Sequence, residues 1–101
     1  MNTENIVAHA RARFDHAAAK RLLKEKYQAK LTFASQNGLW LAGPELLSTL
    51  SACTGPTSVL LDLYETPVKV DPMVLRDECR AHWQEQMNAW LIDYEEQTQN
   101  R

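Results

Sequence analysis

Apolar residues first recur at helical intervals. Val7, Ala10, Phe14, Ala18 and Leu22 are spaced by three and four, and Leu23 with Tyr27 continues the stripe after a small drift. This predicts a helix from about Thr3 to Ala29, which the alanine-rich composition of the segment favours intrinsically. Thr3 or Asn2 is available to cap its start, with Glu4 placed to meet the helix dipole. The apolar face is thin, suited to close approach of another helix or a sheet rather than to a deep core. The period then changes to two. Leu31 to Ser35 alternates, Asn37-Gly38 follows, and Leu39 to Ala42 resumes as a second extended run. Asn-Gly accepts the positive φ that a two-residue type I′ turn requires, so a β-hairpin is expected with its turn at Asn37-Gly38.

Gly43-Pro44 closes that hairpin, and Pro44 suits the first turn of a helix because its missing N–H would be unpaired there. Residues 45–53 read as a short helix burying Leu46, Leu50 and Cys53 and ending near Gly55-Pro56. Residues 59–64 are β-branched and aromatic enough for a buried strand, Glu65-Thr66-Pro67 interrupts, and Val68-Lys69-Val70 alternates again. A second hairpin follows, with Pro67 opening an edge strand; one long bent strand is the alternative. Asp71-Pro72 is an N-cap and first-turn proline for a helix running to about Gln97. Leu75, Cys79, Trp83, Met87, Trp90, Leu91 and Tyr94 fall on its broad apolar face. The fold class is therefore α+β: long N-terminal helix, β-hairpin, short helix, second β-hairpin, long C-terminal helix. A last helix of about 25 residues is roughly 40 Å long. That exceeds the body of a domain this size, so one end projects or meets a partner.

At 101 residues the chain is a single domain, 1–101, with ordinary globular composition: 45 % hydrophobic and 24 % charged. Two cysteines, Cys53 and Cys79, are too few for a disulfide scaffold and form no C-x-x-C pair. With no basic-then-apolar leader at the N-terminus and no run long enough to span a bilayer, a cytoplasmic protein without membrane contact is expected. The net charge of −2 hides a split. Residues 1–30 hold seven bases against three acids, and residues 71–101 hold seven acids against three bases. A basic helix packed on an acidic one, within the chain or between copies, accounts for that split without any further partner.

Candidate chemistry is sparse. His9 and His16 are seven apart with nothing at i+3 or i+4 to complete a metal pair, so no metal is expected. Cys53 and Cys79 sit on apolar helix faces and read as core filling, and His82 as a boundary residue. Asp62, Glu65, Asp71, Asp77 and Glu78 occupy a turn, a cap and a first helical turn, which are ordinary places for acids. The three glycines never form a phosphate-cradling run. No catalytic residue and no cofactor follow, and an enzyme is not expected. Two surfaces remain. Trp90, Leu91 and Tyr94 lie far along the last helix and are candidate partner-binding residues, since Trp and Tyr are enriched in binding hot spots. Arg13, Lys20, Arg21 and Lys24 could present a stripe to phosphates, the alternative reading as a nucleic-acid-binding accessory factor.

The succession Phe33, Asn37-Gly38-Leu39-Trp40, Pro44-Glu45-Leu46-Leu47, Asp62-Leu63-Tyr64, Pro67-Val68-Lys69-Val70 and residues 83–90 resembles small uncharacterised proteins of large T4-type tailed bacteriophages, over residues 31–94. The resemblance implies a non-enzymatic phage-encoded structural or accessory protein. Such a protein would act through helix-mediated contacts with itself or a larger protein, in virion assembly or host takeover. It would reside in the cytoplasm of the bacterial host or in the virion.

Overall fold

The computed structural model describes residues 3–99, with side chains from residue 15 onward. The elements are α1 (Thr3–Lys30), β1 (Thr32–Ser35), β2 (Gly38–Leu41), α2 (Pro44–Ser51), β3 (Ser58–Leu61), β4 (Pro67–Val70) and α3 (Pro72–Gln99). This is the expected α+β order, and the second extended region is a hairpin rather than one bent strand. Its first strand stops at Leu61 and is not buried, since Val59 and Leu61 face outward from a two-stranded sheet that covers the core with one face only. Each hairpin is a separate two-stranded antiparallel sheet. The proposed cap at Asn2 or Thr3 and the stripe residues Val7, Ala10 and Phe14 lie outside the described side chains, as do His9 and Arg13.

The first turn sits one residue earlier than Asn37-Gly38. Ser35 pairs with Gly38, so the loop residues are Gln36 and Asn37, with φ of 48° and 65°. Gln36 tolerates the left-handed conformation because its side chain is held at both ends. Its Oε1 accepts the Asp71 N–H at 2.7 Å, and its Nε2 donates to Asp71 O at 3.2 Å. Gly38 is needed for a different reason: a Cβ there would stand 2.7 Å from the Trp40 ring. Beyond the strands of the second hairpin Asp62 pairs with Thr66, enclosing a three-residue loop that ends in Glu65 at φ 59°. Pro67 pairs with Leu61. The Asp62 N–H bond to Thr66 O, 3.1 Å, makes that a non-hydrogen-bonded pair, so no ladder donor is lost.

Asp71 caps α3 as its sequence predicts, its Oδ1 accepting the N–H groups of Met73 at 3.0 Å and Val74 at 3.3 Å. Both hairpins pack their inner faces onto α2 and the first turns of α3. Trp40, Leu50, Val68, Val70 and Leu75 form one buried cluster, with Phe33, Leu46 and Leu60 against it. Leu31, Ala42 and Cys79 form a second, joined by Leu47 and Trp83. Cys79 is fully buried, and burial pushes its thiol pKa up. Cys53 is only half-buried, so it contributes less to the core than its place on the pattern suggested.

Beyond this core α1 and α3 run antiparallel, with Lys30 beside His82, Tyr27 beside Trp90 and Lys26 beside Asp93. Each helix has 28 residues, about 42 Å at 1.5 Å per residue. The molecule measures 67 × 24 × 20 Å with a radius of gyration of 19.4 Å. A compact chain of this length has about 13 Å, so the pair forms a projecting arm.

Candidate interaction site

The arm is locked by one polar and aromatic node. Tyr27 is buried, its ring stacked on Trp90 with centroids 5.8 Å apart and planes 8° from parallel. The Tyr27 hydroxyl donates to Asp93, and Lys26 Nζ reaches the same carboxylate oxygen at 3.0 Å. The ammonium groups of Lys26 and Lys30 lie 5.2 and 5.1 Å from the Tyr27 ring centroid. The Tyr27 hydroxyl and then the Lys26 ammonium hold Asp93 below the usual carboxylate range. The same hydrogen bond, with burial, raises the Tyr27 pKa, and Asp93 raises that of Lys26. Nearer the core, a ring nitrogen of His82 lies 2.6 Å from Lys30 O at the end of α1. A carbonyl only accepts, so that nitrogen carries the hydrogen and closes the helix. Basic α1 and acidic α3 thus meet within one chain.

This node takes up one of the three predicted contact residues. Trp90, half-buried, stacks its ring on Tyr27 inside the arm. Leu91 and Tyr94 remain outside, 55 % and 42 % exposed, and Ile92 on another side of α3 is 57 % exposed. On α1, Leu23 is half-buried and Tyr27 buried, the residues onto which the predicted stripe drifts, whereas Leu22 before them is 61 % exposed. The contact with α3 therefore uses the Leu23/Tyr27 side. Of the basic set, Lys20, Arg21 and Lys24 are exposed, and Arg13 falls outside the described side chains. Among the described residues the one ion pair is Lys26–Asp93.

Asp62 does structural work that its sequence position only partly announced. Its Oδ1 accepts the N–H groups of Tyr64 (3.0 Å) and Thr66 (3.1 Å), closing the second loop. Its Oδ2 accepts the Leu39 N–H at 3.1 Å, tying the two hairpins together. These bonds, that of Thr66 foremost, hold the carboxyl below its ordinary range. A depressed folded pKa contributes stability above the unfolded value and loses it as pH falls through the folded one. The urea midpoint of the wild type should therefore fall between neutral pH and about pH 3. Asp62→Asn should start lower at neutral pH and show a smaller acid-dependent fall. An identical pH profile in the two proteins would remove this role from Asp62.

Among the described residues no group of three or more His, Cys, Asp or Glu could hold a metal ion, and no helix is long and apolar enough to cross a membrane. No protein-family model, curated protein or solved structure matches the chain.

Proposed function

We propose that this protein is a non-catalytic structural or accessory component that acts by docking its helical arm onto a protein partner, a second copy or a larger protein. The observation carrying this reading is the pair of large apolar side chains, Leu91 and Tyr94, left open on one side of an arm that projects from the core. Exposed aliphatic and aromatic groups gathered on a projecting element mark interaction surfaces. The acids Glu95 and Glu96 continue α3 beyond them, where the helix dipole is unfavourable to negative charge, so a basic partner would relieve a local cost. In keeping with the resemblance of residues 31–94, the partner is a phage protein in virion assembly or a host protein in takeover.

The test is the paired substitution Leu91→Glu and Tyr94→Glu. Both sites are exposed, so folding should be little changed. Sedimentation of the wild type and capture from infected cells should reveal an oligomer or a defined complex, which the double variant weakens at least about tenfold. An association of undiminished strength in the double variant would remove the arm from the function.

A further inference from the structure

The two hairpins turn one edge each toward the other. The Ala42 N–H bond to Leu31 O, 2.9 Å, makes that pair hydrogen-bonded, so by alternation the N–H and C=O of Leu41 point away from β1. The Asp62 N–H bond to Thr66 O likewise turns those of Leu61 away from β4. At one end the edges meet, where Leu63 N–H reaches Leu39 O at 2.9 Å. Among the described residues no backbone bond joins Leu41 to Leu61, and a groove of about 910 Å³ opens between them. Leu41, Leu61 and Leu63 line it at 45, 63 and 48 % exposure, together with Trp40, Leu46 and Trp83. Two carboxylates, Glu45 and Asp62, also line it, and no lysine or arginine does.

We propose that this groove binds an extended peptide segment of a partner protein, apolar at its centre and flanked by lysine or arginine, which pairs its backbone with the open edges at Leu41 and Leu61. Three features select that occupant. Open backbone groups on the walls can be met by a strand, whereas a helix has already spent its own on itself. Leucine and tryptophan linings favour apolar side chains at the centre. The carboxylates, with no base beside them, favour a basic flank and disfavour an acidic one. The outer strand of the second hairpin is defended differently: β4 carries Pro67 and Lys69, devices that discourage pairing. The edge facing the groove carries neither. This site is separate from the arm and stands whether or not the arm docks.

The experiment is an NMR titration of the 15N-labelled full chain with the probe acetyl-Lys-Val-Leu-Val-Lys-amide. A second titration uses the same peptide with glutamate at both ends. The basic probe should give saturable shifts at the amides of Leu41 and Leu61 and slow their hydrogen exchange. The acidic probe should bind at least about tenfold more weakly, and Glu45→Lys should narrow that gap. Leu61→Lys, at an exposed site, should abolish binding of the basic probe, while Leu91→Glu with Tyr94→Glu should leave it unchanged. Absence of saturable shifts at Leu41 and Leu61, or equal binding of both probes, would overturn the proposal. So would binding that survives N-methylation of every peptide amide, because strand pairing would then not be its basis.

Discussion

Replacing Trp40 with alanine is expected to cost about 3–5 kcal/mol of folding free energy, the range for truncating a core tryptophan. The indole is almost wholly buried against Leu50, Val68, Val70 and Leu75, joining the first hairpin to the second and to α3. Its N–H donates to Ser35 O at 2.9 Å, so truncation also removes a hydrogen bond at the hairpin tip. Few other groups can absorb the loss, because the buried apolar set among the described residues is only nine side chains. Domains are stable by about 5–15 kcal/mol, so the variant should be largely unfolded well before the wild type in a urea titration. Trp40→Phe, which keeps most of the apolar volume but not the N–H, should lie between the two. A Trp40→Ala protein within about 1 kcal/mol of the wild type would mean that the hairpins are held by something other than this ring.

Trp40 also shows what the sequence could and could not disclose. Local signals were sufficient for the order of elements: Pro44, Pro67 and Pro72 each stand at an element's first residue, Asp71 caps α3, and the period changes where α1 gives way to β1. The turn register was not local. Asn37-Gly38 is the better turn pair by backbone preference, yet Gln36-Asn37 takes the turn. The deciding interactions come from 35 residues away, in the two bonds between Gln36 and Asp71. The demand for glycine at 38 arises from the packed indole rather than from φ.

The long helices fail and succeed for a similar reason. In an alanine-rich helix several faces look equally apolar, so periodicity ran Ala18 and Leu22 into Leu23 and Tyr27 as one drifting stripe, of which the Leu23/Tyr27 part meets α3. The choice rests with Trp90 and Asp93, more than sixty residues away, which receive the Tyr27 ring and hydroxyl. The charge split did announce that basic α1 meets an acidic helix, and Lys26–Asp93 is that meeting within the chain. The length of α3 marked Trp90, Leu91 and Tyr94 alike, and only the last two are exposed. The groove between the hairpins was not legible, since its two walls belong to strands about twenty residues apart and its openness depends on how they splay.

Trp90→Ala should uncouple the arm while leaving the hairpins intact. Trp90 is half-buried, and the change removes both its packing and its stacked contact with Tyr27, together about 2 kcal/mol. That corresponds to about a thirtyfold shift in the opening equilibrium of the paired helices. The Asp93 bonds to Tyr27 and Lys26 depend on the same closeness of α1 and α3, so they should weaken with it. Trp40, Leu50, Val68, Val70 and Leu75 form a buried cluster of which none of these groups is a member, which predicts that the loss stays local. Amide hydrogen exchange is the measurement. Protection should fall by about that factor in residues 19–30 and 86–97 and remain unchanged in the strands and α2. Equal acceleration everywhere would mean that arm and core open as one unit. Unchanged exchange in α1 would show that its remaining contacts, His82 on Lys30 O among them, suffice to hold it.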